Sequence, residues 1–430
     1  MSTRRPKTRW YTTSRRQQER WKRTTATLPD DARAPGHTWV DGLIGRELVG
    51  PLPACLPLEL ADQNLLPAVR AEALERFRRH DIGWHAGGEG PDGSHWCSGH
   101  LLDSQVQCVN TFLELANGPD RGLAFVRAVE PDAVALMEVE DGSTVTFEWI
   151  GERDHLGERR GFIGQRGRYT TSVDALLVAQ RANGGKTGIL VEWKFTESYH
   201  QPIPFRGPGG KDRREVYRAR YEAPGSPFQR RPPIEAYFHE PHYQLLRLVL
   251  LADAMVAARE LGMDRAVVVH AVPRGNDALL ATVPEGLAEL GSTVPQVWST
   301  LIGDGPVVWR WLDTTPWLRA TKALAERYGV GAPDGEFLDD EGEDRDEDEV
   351  TPVVKSKRPP AGSIGPENDL GLILTLDGIK YVTTADGLVE IEGQDKTGLL
   401  APEAHAALDA VMDEAFREVN PCGNPYKRQG

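Results

Sequence analysis

The chain is 430 residues long, 40% hydrophobic and 27% charged, which excludes fibrous and wholly disordered classes and leaves room for two folded units joined by linkers. Its formal charge of −14 argues against a phosphate-binding partner only until its distribution is read: residues 334–349 carry eleven acids and one arginine, −10 of the total, so the rest of the chain sums to −4. The cysteines Cys55, Cys97, Cys108 and Cys422 form no CxxC pair, and no run is apolar enough to span a bilayer or act as a signal peptide, so a reducing, cytoplasmic setting and no membrane partner are expected.

Residues 1–23 hold nine basic side chains against Glu19 alone, interleaved with Trp10, Tyr11 and Trp21. Such an arm suits phosphate contact and base stacking, and reads equally as a solvated tail. With the Pro- and Gly-spaced stretch after it, residues 1–60 become a basic arm and an irregular lead-in. A pattern rich in Ala, Leu, Glu and Arg predicts a helix over 68–80, a Gly-rich loop fills 87–98, and a second helix runs over 100–116 before the stop Asn117-Gly118-Pro119. On it Leu102, Val106, Val109 and Leu113 make an apolar stripe, while Gln107, Asn110 and Glu114 fall on another face. Strands are expected at 122–139 and 144–150 around the turn Asp141-Gly142, then at 172–181 and 187–196 around Asn183-Gly184-Gly185. The long apolar runs of the second pair suit strands covered on both faces.

A Gly-, Pro- and Arg-rich segment at 206–233 precedes the longest helical pattern, 234–261. A buried strand at 265–272 stopped by Pro273, a strand at 307–312 and a closing helix at 316–328 complete the series. This order predicts an α/β core over 61–330, with a mixed central β-sheet flanked by helices. Like charges and low hydrophobicity make 331–366 an acidic flexible linker. Beyond it, 367–430 reads as a small C-terminal α+β unit: a meander at 372–376, 379–384 and 387–391, then an Ala-rich helix over 402–419.

The chemistry concentrates where Val191-Glu192-Trp193-Lys194 ends an apolar strand and Thr171-Ser172-Val173-Asp174 opens the one before it. Strand alternation sends Glu192 and Lys194 to one face, Trp193 and Phe195 to the other. If the neighbouring strand brings Asp174 alongside, two carboxylates and an ammonium converge, and hard carboxylate oxygens suit Mg2+. The competing reading is an ion pair at a strand end. His85, His95, Cys97 and His100 lack the spacing of a four-ligand zinc site, and there is no Walker-type lysine loop.

Asp174 followed eighteen positions later by Glu-x-Lys on an apolar strand resembles the PD-(D/E)XK nuclease motif. The wider stretch 95–275 resembles a bacterial family of restriction-endonuclease-like proteins. The likeness rests on the run from His100 through Gln107 to Asn110, on 171–176 and 191–199, and on Tyr243-Gln244-Leu245-Leu246-Arg247. Val173 stands where the motif has proline. The resemblance implies a restriction-endonuclease-like core. It makes Asp174 and Glu192 ligands of Mg2+, or of Mn2+ as second choice, with Trp193 adding its main-chain carbonyl. Lys194 becomes the catalytic lysine that positions or deprotonates water, with a pKa lowered beside a bound cation. Gln107 and Gln244 would lie near the metal, though each reads as readily as a plain polar helix residue. The basic loop with Arg206, Lys211, Arg213 and Arg214 would grip the phosphate backbone without reading sequence, or be a surface loop. The expected activity is metal-dependent hydrolysis of DNA in restriction, phage defence or repair, a homodimer being the simplest way to cut both strands. The alternatives are a catalytically inactive nucleic-acid-binding protein on the same fold, and an interaction protein that recruits partners.

Overall fold

The computed structural model of the protein describes residues 8–42, 45–88, 96–158, 165–167, 170–199, 201–207 and 211–329, with three strands between 370 and 391. The linker expected at 331–366, the helix expected at 402–419 and His95 lie outside the described residues. Residues 1–203 and 214–353 form one compact unit; residues 204–213 and 354–430 form a second.

The first unit opens with helix α1 (Arg9–Thr24), whose N-cap Thr8 accepts the Tyr11 amide. Far from being a solvated tail, this basic segment is docked: Ser14, Gln18 and Lys22, each four residues apart, are buried along one face. The Lys22 ammonium donates to the carbonyls of Ala34, Pro53 and Cys55 at 2.7, 3.2 and 2.6 Å. Gln18 donates to the Arg327 carbonyl, and the Arg327 guanidinium lies 3.9 Å from the centre of the Trp21 ring. Next come the antiparallel hairpin β1 (Gly36–Gly42) and β2 (Gly45–Leu52), helix α2 (Arg70–Arg79) and helix α3 (Ser104–Ala116). Asp103 caps α3 by accepting the Val106 amide at 2.9 Å. The stretch expected to be strand from 122 is instead helix α4 (Pro119–Arg127), because Pro119 presets the φ of a first helical turn and Leu123 and Val126, three apart, share a core-facing side. Only β3 (Ala133–Met137) remains strand there.

Strands β4 (Val145–Trp149), β5 (Val173–Arg181) and β6 (Lys186–Trp193) follow, and then α5 (Arg213–Tyr221) and α6 (His242–Ala257). The single helix expected over 234–261 is broken before His242 by Pro241, which has no amide hydrogen to donate to the carbonyl four residues back. The unit closes with β7 (Arg265–Ala271), α7 (Asp277–Leu280), α8 (Val294–Leu301), β8 (Val307–Leu312) and α9 (Lys322–Tyr328). In the second unit, β9 (Leu370–Leu376), β10 (Ile379–Thr384) and β11 (Val389–Ile391) make an antiparallel meander.

Among the described residues the central sheet has six strands in the order β3-β5-β6-β7-β8, with β4 sharing the β5 edge with β3. The β3, β4 and β6 neighbours of β5 are antiparallel to it, whereas β6, β7 and β8 run parallel, so the sheet is mixed. Its two faces carry separate cores. Ala175, Leu177, Ile189, Val191, Trp193, Val267 and Val269 pack with residues of α2, α3, α4 and α9; Leu176, Val178, Leu190, Ala266 and Val268 pack with α5, α6 and α8. Period-two alternation in strands covered on both sides produces this three-layer α/β sandwich.

His242, at the start of α6, is fully buried with Nε2 2.8 Å from the Thr282 carbonyl and Nδ1 3.1 Å from the indole nitrogen of Trp298. That environment fixes a neutral ring carrying its hydrogen on Nε2, since a proton on Nδ1 would face the indole N–H. Burial lowers its pKa to about 4. The unfolded chain binds this proton near pH 6.5 and the folded one does not, so the stability it protects is complete above that pH and declines as pH falls towards 4. Urea unfolding should lose roughly 3 kcal/mol from this group between neutral pH and pH 4, and His242→Gln should flatten that part of the profile.

Candidate active site

The register of the central sheet assembles a row of polar residues at one end of its strands. Ala175 pairs with Val191, and the same register carried one step further sets Asp174 opposite Glu192. On the other side of β5, the pairs Phe147 with Ala175 and Trp149 with Val173 bracket Glu148 opposite Asp174. Across the parallel β6–β7 ladder, Glu192 pairs with His270. Glu148, Asp174, Glu192 and His270 thus cross four adjacent strands in one line.

Side-chain contacts tie this row together. The Asp174 carboxylate accepts the Trp193 amide at 2.6 Å, beyond the last Cα pairs of the β5–β6 register. Lys194, whose amide continues the parallel ladder to the Ala271 carbonyl at 2.9 Å, turns its ammonium to Glu192, Nζ to Oε1 at 2.7 Å. Glu192 and Lys194 are both buried. Trp193 points the opposite way into the α3 core, edge-on to Phe112.

Three carboxylates near one ammonium leave the cluster with excess negative charge. Low-dielectric surroundings and then the Glu192 charge push the Asp174 carboxyl well above its ordinary pKa, against the opposing pull of Lys194. Lys194 is subject to two opposing influences from the protein itself. Burial favours the neutral amine, but Glu192, with Tyr199, Asp174 and Glu197, more than offsets it, so the pKa is raised and the ammonium is held charged. Among the described residues no group of three or more His, Cys, Asp or Glu side chains is arranged to hold a metal ion. The donor chemistry nevertheless suits a hard divalent cation: Asp174 and Glu192 supply two carboxylates, and Mg2+ binds through one or two such groups while keeping several waters.

Glu148 and Gln105 are the site residues that the sequence reading missed. Glu148 is fully buried at a left-handed φ of 49° and accepts hydrogen bonds from Gln105 Nε2 at 2.8 Å and Ser172 Oγ at 2.7 Å, with His85 Nε2 at 3.4 Å. The unusual φ breaks the alternation of β4: Phe147 faces the α3 core and Trp149 the α6 core. A lone acid inside the apolar run from Val145 to Ile150 was the available signal. Gln105 also accepts the His85 amide and donates to the Gly83 carbonyl. Gln105→Ala should therefore cost about 1.5–3 kcal/mol in urea unfolding, the range for a hydrogen bond to a buried charged group.

The other anticipated residues separate. Gln107 is fully buried, and its Oε1 accepts the Trp193 indole N–H at 3.0 Å, so it fixes the indole. The polar face expected at Gln107, Asn110 and Glu114 is buried throughout; Asn110 bonds Leu66, Asn64 and the Tyr328 hydroxyl. Gln244 lies in the first turn of α6: its main-chain amide donates to Glu240, whose raised pKa stems first from burial and then feels Arg247 and Lys194, while its own Oε1 is buried without a partner among the described residues. His270 is fully buried with neither ring nitrogen hydrogen-bonded among the described residues, a histidine inside an apolar strand that sequence reading passed over. In the basic loop the main chains of Arg206 and Asp212 pair in an isolated antiparallel β-bridge and Arg213 donates to the Pro204 carbonyl, both within the second unit. Arg214 pairs with Glu235 at 3.3 Å.

The model of a protein family described as restriction endonuclease associating with ARP matches residues 15–329, a span that contains every member of the polar row. No curated protein and no solved structure matches the chain. No helix among the described residues is long and apolar enough to cross a membrane.

Proposed function

Because the chain belongs to the family of restriction endonucleases associating with ARP, we propose that it is a metal-dependent endonuclease that hydrolyses DNA phosphodiester bonds at the polar row of β5 and β6. The observation that carries this reading is the Asp174 carboxylate accepting the Trp193 amide just beyond the Ala175–Val191 pair, beside the ion pair of Glu192 and Lys194. Asp174 and Glu192 would hold Mg2+ or Mn2+, with the Trp193 main-chain carbonyl as a further ligand. When bound, the cation would polarise the phosphoryl oxygen and acidify an attacking water.

The chain's own groups do the rest. Lys194, held charged beside Glu192, would orient the water and balance charge on the phosphate. Gln107 keeps the Trp193 peptide in register by holding its indole. Gln244, whose main-chain amide bonds the Glu240 carboxylate, would help hold that acid near Lys194. Arg9, Arg16, Arg20 and Arg23, exposed on one side of α1 at spacings of seven, four and three, would grip phosphates without reading sequence. Arg206, Lys211, Arg213 and Arg214 are proposed to do the same. Restriction or phage defence is the setting that family membership favours, and a homodimer would cut both strands through two symmetric sites.

Plasmid nicking by the full chain with Mg2+ and with excess chelator tests the reading. Cleavage that depends on the cation supports it. Binding of DNA with no cleavage under either condition would favour the inactive module instead.

A further inference from the structure

A cleft of about 480 Å³ opens beside the end of the lysine-bearing strand, walled by Tyr11 of α1, by His85 and His100, by Asp103 and Ser104 at the start of α3, and by the 196–198 segment. That volume lies within the range of small-molecule sites. Thr196 is two residues beyond Lys194, so its backbone lies at most roughly 7 Å along the chain from the lysine. The cleft also reaches the polar row through His85, which faces Glu148 at 3.4 Å. Another lining residue, Glu197, raises the Lys194 pKa and is itself fixed by the Phe195 amide at 2.6 Å. The α1 wall is held in place by Trp10, whose indole N–H donates to the Phe195 carbonyl at 2.8 Å.

The lining distinguishes between the parts of a nucleotide. None of the described residues around the cleft is Lys or Arg, and two are acids, Asp103 and Glu197. A phosphate would meet like charge there. A base presents N–H donors to carboxylates and hydroxyls, and a flat face to an aromatic ring. Phosphates have a separate place on the exposed arginines of α1, while Tyr11 continues that helix's docked face three residues before Ser14.

We propose that this cleft receives one unpaired base of the substrate strand, next to the phosphate presented to Lys194, so that the protein selects DNA with an extruded or unpaired nucleotide over a continuous duplex. This rests on the nuclease reading for the identity of the polymer, but base capture can be measured without cleavage. A base stacked within a duplex cannot lay its face on Tyr11 without leaving the stack. Extrusion costs least where the nucleotide is already unpaired.

The test is fluorescence anisotropy of the full chain in Ca2+ with three labelled short duplexes: one with a single bulged nucleotide, one with an abasic site at the bulge, and one fully paired. The bulged duplex should bind about ten-fold more tightly than the other two, the size of one stacking contact. Ser198→Phe, which fills the cleft, and Tyr11→Ala should each reduce that ratio to near unity, whereas Tyr11→Phe, which keeps the ring, should retain it. Equal binding of all three duplexes by the unaltered protein, or a preference undiminished by Ser198→Phe, overturns the proposal. Mg2+-dependent cleavage by the unaltered protein, compared with Lys194→Ala, reads the nuclease claim separately. A bulge preference without cleavage sinks that claim and leaves the cleft standing; cleavage without a bulge preference does the reverse.

Discussion

Replacing Lys194 with alanine should reduce Mg2+-dependent nicking of plasmid by about 10²–10⁴-fold, the usual worth of a positioned proton-transfer group, while leaving the fold intact enough for DNA binding. The side chain is buried and ion-paired with Glu192 at 2.7 Å, so its removal exposes a buried carboxylate. Lys194→Met tests the charge with the hydrophobic stem retained. Asp174→Asn should give a loss of similar size, because it removes one of the two proposed ligand charges but keeps an oxygen able to accept the Trp193 amide. Should Lys194→Met and Asp174→Asn both cleave at the unaltered rate with cation present, the row is not the catalytic centre.

Trp193→Ala should be the most destabilising single change near the site, by about 3–5 kcal/mol in urea unfolding. Its ring is 1% exposed between the sheet and α3, packs edge-on to Phe112 at 5.6 Å and bonds Gln107. Truncation removes that apolar volume and strands the Gln107 amide oxygen in the core, and Gln107 Nε2 already lacks a partner. Trp193→Phe restores most of the volume but not the indole N–H, so its cost should fall to about 1–3 kcal/mol, the penalty of an unsatisfied buried acceptor. A variant that unfolds at the unaltered urea midpoint would show that Trp193 does not carry the β6–α3 contact.

Residues with strong local patterns are legible in the sequence alone. The apolar runs of β5 and β6 announced strands covered on both faces, that of β7 a buried strand, and β8 falls at its expected bounds. Asn117-Gly118-Pro119 marked the end of α3 where the structure has it. Three elements read less well, each for its own reason. Alternation in 122–139 hid α4 because Leu, Ala, Phe and Val serve helix and buried strand alike over so short a run. The docked face of α1 was invisible because Ser14, Gln18 and Lys22 are polar, and their burial depends on carbonyls supplied from residues 34, 53, 55 and 327. The hairpin of β1 and β2 lies in a Gly- and Pro-spaced stretch that carries no two-residue apolar rhythm.

What the sequence determined by itself was the pair Glu192 and Lys194 on one face of a strand, Trp193 on the other, and an acid opening the strand before. Side-chain direction in extended chain follows from the two-residue repeat, and that requires no knowledge of neighbours. Only the tertiary structure decided which residues stand across from that pair. Register between strands is set by packing on both faces of the sheet and by loops of unlike length, so Glu148, 26 residues before Asp174, and His270, 78 residues after Glu192, reach the row through long-range pairing that no local spacing encodes.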